Sequence, residues 1–322
     1  MKQPLRLKEL YFSAKRIRLI EEFLASHYSE NHMRCPMHFS IGQELAGAAV
    51  GLLCSKSDRV VSTHRSHAHF LGKGGCLSSM IAEFMGKDRG CSGGRGGSMH
   101  LIDKEVGFEA STAIVGNSIP VAVGLAAALK RNDENKICVA FVGDATFETG
   151  VLFESLNISA TWDLPILFVC ENNLYSVYSP LSVRQPKNRD NAELARAMGL
   201  RSLKLDGTDA AETLLALQSV ISDVRKNRPY LVELSTYRWL EHCGPNSDDA
   251  LSYRHGSELQ YWKEHDFLTQ LEERLIVSGE ITSVEVAACN LKINREIKLA
   301  YQLATELTNN PSSDFRQYEY AP

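Results

Sequence analysis

Between residues 117 and 235 the chain alternates helical and strand-like segments, and this alternation leaves few architectures open. The runs at 136–142 (KICVAFV) and 165–170 (PILFVC) are apolar on successive residues rather than on every second one, the pattern of strands covered on both faces. Residues 117–130, 149–161, 192–198 and 210–226 read as helices, while 202–205 and 230–235 (YLVELS) read as further strands. Strands joined through helices predict an α/β fold, a mostly parallel sheet with helices on both faces.

Outside this block the pattern is mostly helical. Leu7, Leu10, Tyr11, Ala14, Ile17, Ile20, Phe23 and Leu24 recur at helical spacing and predict an amphipathic helix over about 5–30; residues 43–53 predict a second. Residues 72–107 are so rich in glycine that they read as irregular, and so long that they read as functional rather than connecting. After Tyr253 the chain becomes charged and helical, a tail over about 255–322 that includes a polar stretch at 309–313. With no repeat and no linker rich in Pro or Ser, residues 1–322 read as a single domain.

Composition excludes several classes. With 44% hydrophobic residues the chain can build a core, and 35 Lys and Arg against 39 Asp and Glu give a net charge of −4, no basic field for a nucleic acid. The longest uncharged apolar stretches, 119–129 and 165–170, fall far short of the roughly 20 residues that span a bilayer. The first ten residues mix charge with leucine and lack a signal-peptide core, so the protein is expected in the cytoplasm. Eight cysteines without a C-x-x-C pair read as reduced thiols.

The chemistry gathers at strand ends. The run at 136–142 leads directly into Gly143-Asp144-Ala145, and the run at 165–170 into Glu171-Asn172-Asn173, which sets Asp144 and Asn173 29 residues apart. In open α/β sheets ligands bind at the carboxyl ends of the strands, and one helical crossover brings two such ends side by side. Taken singly, Asp144 could cap the next helix and Asn172-Asn173 could form a turn. As a pair they form an oxygen-donor set suited to Mg²⁺ with a diphosphate.

These residues and their surroundings resemble a known family. Gly143-Asp144 followed about thirty residues later by Asn172-Asn173 is similar to the thiamine-diphosphate motif. The blocks His64-Arg65-Ser66-His67-Ala68-His69, Gly94-Arg95-Gly96-Gly97-Ser98-Met99-His100, Ala113-Ile114-Val115-Gly116, Phe153-Glu154-Ser155-Leu156-Asn157, Cys170-Glu171-Asn172-Asn173 and Thr236-Tyr237-Arg238 resemble the alpha subunit of the 2-oxo acid dehydrogenase first component, as in pyruvate and acetoin dehydrogenases. The resemblance runs from Gly42-Gln43-Glu44 to about Tyr253-Arg254.

The resemblance implies a thiamine-diphosphate-binding fold and the following roles. Asp144, the Asn173 side chain and the Tyr175 carbonyl would bind Mg²⁺ beside Gly143 and Ala145, and Arg65 and Arg238 would hold the diphosphate. Ala113 and Val115 would address the aminopyrimidine through their backbone. His38 and His64 would line the catalytic cavity, with His242 near the diphosphate and the reacting carbon. The activity implied is decarboxylation of a 2-oxo acid with acyl transfer to a lipoyl group on an acyltransferase. The glutamate that activates the cofactor would come from a beta subunit, in a heterotetramer of two alpha and two beta chains. A two-chain carboligase or acyl-transferring enzyme of a biosynthetic pathway, lacking a lipoyl partner, would carry the same residues. A non-catalytic paralogue would have lost Asp144, Asn173, Arg65 or Arg238, and all four are present.

Three departures from the family pattern stand out: Ala145 in place of a second glycine, Glu241-His242-Cys243 in place of the Gly-His-Ser phosphorylated in animal mitochondrial relatives, and Gly244-Pro245 after it. Other readings of single motifs are a zinc site at His64, His67 and His69, a dinucleotide loop at 93–97 without its G-x-G-x-x-G pattern, and a nucleophilic Cys91 or Cys243.

Overall fold

The computed structural model describes residues 6–132 and 135–308. The chain opens with α1 (Leu7–Ser26) and α2 (Glu44–Leu53), enters β1 (Arg59–Ser62), and continues through α3 (His67–Gly72) and α4 (Leu77–Phe84) to β2 (Phe108–Ser111). Next come α5 (Ser118–Arg131), β3 (Cys138–Gly143), α6 (Gly150–Thr161) and β4 (Ile166–Asn172). A two-residue antiparallel hairpin, β5 (Tyr175–Ser176) and β6 (Ser179–Pro180), leads into the single turn α7 (Leu181–Arg184). The sheet resumes as α8 (Asn191–Ala197), β7 (Arg201–Asp206), α9 (Ala210–Val224) and β8 (Tyr230–Ser235), and α10 (Gly256–Glu264), α11 (Phe267–Val277) and α12 (Ser283–Glu306) follow.

Six strands form one parallel sheet in the order β2–β1–β3–β4–β8–β7. The unbroken apolar runs are explained by what each pleat faces. Val139 and Phe141 of β3, with Leu167 and Val169 of β4, enter the core shared with α1, α2, α9, α11 and α12. Cys138, Ala140 and Val142, with Ile166, Phe168 and Cys170, enter the core under α5, α6 and α8. Both faces are dry, so no position alternates to polar.

Charged clasps tie the outer helices to this frame. Arg18 of α1 lies over the Trp239 ring at 4.2 Å and pairs with Glu44 of α2 and with Asp266, the N-cap of α11. Thr282 and Glu285 form a reciprocal cap at the start of α12. Helices α2 and α3 touch backbone to backbone: a Cβ at Gly51 would stand 1.9 Å from the Gly72 carbonyl oxygen, so only glycine permits the approach. That contact sets the position of α3, and with it of His64 and Arg65 just ahead of it.

The helices and strands expected between 117 and 235 all form, with ends shifted by at most a few residues. The expected first helix starts at Leu7, and helices fill the described part of the tail; residues 309–322, with the polar stretch at 309–313, lie outside the described residues. Two corrections concern residues 59–111. The glycine-rich region holds a regular helix, α4, in the glycine-free interval between Gly75 and Gly86. The sheet also recruits β1 and β2, four residues each, too short to show a period in sequence.

Candidate active site

The loops leaving β1, β3 and β4 at their carboxyl ends surround one cavity. It is lined by His38, His64, Arg65, Ala113, Val115, Gly143, Asp144, Ala145, Asn173, Tyr175 and His242. The register of β3 on β4 pairs Gly143 with Glu171, which brings Asp144 and Asn173 to neighbouring strand ends, as their spacing predicts. Asp144 is almost fully buried, at 3% exposure. Burial pushes its carboxyl up, partly offset by the guanidinium of Arg184, which pairs with it. Asn173 donates to Gln43 Oε1 (3.2 Å) and accepts from the Tyr175 amide (3.1 Å), while the Tyr175 phenol turns away to Glu258 (2.6 Å). Ala145 is not among the residues with positive φ, so its backbone does not call for glycine.

Arg65 is the electrostatic centre of the cavity. Its guanidinium donates to the carbonyls of Phe39 (2.5 Å) and His242 (3.0 Å), and no described carboxylate pairs with it. Burial, then the nearby Arg238, pull its pKa down to about 10. Glu171 and Glu21 act on it only from beyond ion-pair distance, and a buried cation that hydrogen-bonds to carbonyls alone favours an anionic ligand.

Three histidines share this field. His38 lies 4.8 Å from His64 and 4.9 Å from His242, ring centre to ring centre, and His64 lies 5.4 Å from His242. Burial first, and then the Arg65 charge, lower His38 to about 2, His64 to about 3 and His242 to about 4. All three are therefore neutral at pH 7, each with a ring nitrogen able to accept a hydrogen bond. His38 Nδ1 is buried without a hydrogen-bond partner.

Arg238 is the one site residue expected from the sequence that does not line the cavity. Its guanidinium lies behind the wall, bound to the carbonyls of Val177 (2.7 Å) and Leu240 (2.9 Å), to Asp248 (3.1 Å) and to the Tyr253 hydroxyl (2.6 Å).

The competing motif readings fall to the same geometry. His67 turns inward to Glu21 (2.8 Å), and His69 lies between Ser62 Oγ (2.7 Å) and Glu171 (3.0 Å), stacked on Phe141, so they do not share a site with His64. The amides of Ser92 and Gly94 donate to one oxygen of Glu83 (2.8 Å each), and those of Gly96 (2.7 Å) and Gly97 (3.0 Å) to the other, which leaves them unavailable to a dinucleotide phosphate. Burial pushes the Cys91 thiol up to about 11 and raises that of Cys243, the opposite of an activated nucleophile. Sequence reasoning assigned no role to Glu171 or Gln43, though both stand inside recognised blocks, and it passed over Arg184, which no motif marks.

The family described as "Dehydrogenase E1 component" matches residues 13–312. The chain belongs to the dehydrogenase E1 component family. It is 33% identical over 299 residues to the "Pyruvate dehydrogenase E1 component subunit alpha" of Rickettsia typhi, covering 92% of this chain and 90% of that one. Against the mitochondrial alpha-2 subunit of Arabidopsis thaliana it is 34% identical over 294 residues (90% and 73%), and against the mitochondrial alpha subunit of Pisum sativum 32% over 314 (97% and 77%). This E1 chain is thus the alpha subunit of a thiamine-diphosphate-dependent 2-oxo acid dehydrogenase, which decarboxylates a 2-oxo acid and passes the acyl group to a lipoyl acceptor. As an alpha subunit it works with a beta subunit.

Proposed function

We propose that this E1 alpha chain binds thiamine diphosphate through Mg²⁺ at the strand-end cavity and that the 2-oxo acid is pyruvate, the substrate in its relatives' names. The observation that carries the binding reading is Arg65: a buried guanidinium without a carboxylate, beside a carboxylate and an amide at adjacent strand ends. The donor set fits the group. Asp144, the Asn173 oxygen and the Tyr175 carbonyl are hard ligands of low combined charge, which suit Mg²⁺ and leave positions for phosphate oxygens. Arg65 faces the diphosphate, and Arg238 supports it by holding Val177 in the wall. Ala113 and Val115 would present backbone atoms to the aminopyrimidine, a role that makes no demand on either side chain.

When bound, thiamine diphosphate supplies the electron sink for decarboxylation. The chain's own work is to place and shield. Arg65 fixes the diphosphate end, while neutral His38, His64 and His242 line the reacting end and accept or donate hydrogen bonds without adding charge. His242 also lends its carbonyl to Arg65, so its loop and the diphosphate site are coupled. Ile114 and Val115, 64% and 49% exposed at the cavity lip, leave the site open on the side where the beta subunit brings its glutamate. Two alpha and two beta chains complete the enzyme, an acyltransferase carries its lipoyl acceptor, and the whole is cytoplasmic.

Calorimetry of thiamine diphosphate binding to the assembled enzyme tests the site. Asp144→Ala should abolish the Mg²⁺-dependent binding with assembly intact; undiminished affinity would refute the assignment. Pyruvate should outperform longer 2-oxo acids in decarboxylation with an artificial electron acceptor, and a preference for branched substrates would refute the choice of pyruvate.

A further inference from the structure

The segment after β4 carries two of the three proposed metal ligands, and its backbone is not relaxed. Leu174 and Val177 stand at φ 72° and 53°, left-handed conformations that non-glycine residues, β-branched valine above all, adopt only when the surroundings impose them. Several contacts impose them here. Asn172 Oδ1 accepts from the Leu174 amide (3.1 Å), the Leu174 carbonyl accepts from the Leu181 amide (3.0 Å), and Arg238 holds the Val177 carbonyl.

The last contact crosses to the other strand end. Arg184, at the close of α7, donates through Nε to the Ser179 carbonyl (2.9 Å), pairs through one terminal nitrogen with Asp144 Oδ2 and through the other with Glu148. Gln185 beside it donates to the Asp144 carbonyl (3.2 Å) and to Glu148 (3.1 Å). The Arg184 side chain is 9% exposed, and no other described side chain donates to the Asp144 carboxylate.

We infer that Arg184 is the positioning residue of the metal site: it clasps the segment bearing Asn173 and Tyr175 to Asp144 and occupies one carboxylate oxygen so that the other is presented to Mg²⁺. This rests on the assignment of Asp144, Asn173 and Tyr175 as the metal ligands. The geometry explains how a cation can sit beside a metal ligand. Glu148 takes the second arm of the guanidinium, so the cation is shared between two carboxylates and does not neutralise Asp144 alone. A guanidinium fork spans two carboxylates in one plane; an ammonium does not.

The test is a Mg²⁺ titration of thiamine diphosphate binding to the assembled alpha–beta enzyme, read by calorimetry, beside turnover at each Mg²⁺ concentration. Residues that orient metal ligands typically contribute about 10–100-fold in metal affinity. Arg184→Gln should raise the Mg²⁺ needed for half-saturation at least about tenfold, with binding and turnover recovered at high Mg²⁺, and Arg184→Lys should fall between the two. Unchanged Mg²⁺ dependence in Arg184→Gln would overturn the proposal, as would a deficit in both variants that high Mg²⁺ fails to repair, since that marks general loss of structure. If Arg184→Gln does not assemble, wild-type Mg²⁺ dependence in Arg184→Lys overturns it and a raised requirement supports it. Asp144→Asn run in parallel separates the two claims: if it leaves Mg²⁺ dependence intact, the ligand assignment fails, whatever Arg184 does.

Discussion

The three cavity histidines make the site sensitive to acid, and the sign follows from their environment. In the unfolded chain each titrates near 6.5; in the folded chain burial and the Arg65 charge hold them to about 2, 3 and 4. Below 6.5 the unfolded state therefore binds more protons than the native state, and stability falls as pH drops through that window, His242 ceasing to contribute below about 4. Denaturant midpoints of the cofactor-free enzyme should decline from pH 7 to pH 5, with a shallower decline in His64→Gln; a flat profile in the wild type would contradict the burial argument. The same neutrality bears on catalysis. On the proposed assignment Arg65 and Mg²⁺ supply the charge compensation, so His242→Ala should keep most cofactor affinity yet lose at least about tenfold in turnover, since positioned hydrogen bonding or proton transfer is worth about 10²–10⁴-fold. Wild-type turnover at saturating thiamine diphosphate would make His242 a bystander.

Among the elements, the glycine-rich loop shows how one side chain can organise a segment that lacks regular structure. Gly93, Gly94 and Gly97 hold φ values of 69°, 71° and 62°, and a Cβ at Gly94 would lie 2.2 Å from the Lys87 carbonyl oxygen, so the loop wraps tightly over the end of α4. Four of its amides converge on Glu83, buried at 1% exposure, which supplies the acceptors the loop cannot find within itself. Glu83→Gln replaces one acceptor oxygen with a donor that faces two amide hydrogens. Hydrogen bonds to a charged group contribute about 1.5–3 kcal/mol each and act together in a buried network. A loss of at least about 2 kcal/mol in the unfolding free energy is expected from urea titration. A change under about 0.5 kcal/mol would mean that water satisfies these amides instead.

The whole molecule presents a cavity that one chain does not close. Ile114 and Val115 at its lip, and Val121 at the start of α5, are 64%, 49% and 47% exposed, apolar surface of the kind that a partner covers. The purified alpha chain should therefore be inactive alone toward 2-oxo acids with an artificial acceptor, and activity should appear on mixing with its beta subunit. Ile114→Asp should leave the alpha chain folded, as judged by circular dichroism, yet weaken assembly in size-exclusion chromatography. Robust turnover by the alpha chain alone would contradict the shared site.

The parallel sheet and the pairing of Asp144 with Asn173 were legible because both are local. A strand buried on two faces writes itself as a continuous apolar run, and a ligand at its end needs only to follow that run in sequence. The long motif blocks carried the family for the same reason, each being a short stretch of chain around one turn. What the sequence could not disclose are contacts between segments far apart in the chain. Three histidines within one motif block scatter to separate partners, and no spacing in the chain groups His38, His64 and His242, from three distant segments, in one cavity; only the resemblance to a family did so. Arg238, read as a phosphate ligand, lies behind the wall because Asp248 and Tyr253 claim it; Arg184, in no motif, closes on Asp144 across 40 residues. Charged side chains choose partners by distance and desolvation after the backbone has folded, and neither quantity is encoded at any single position in the chain.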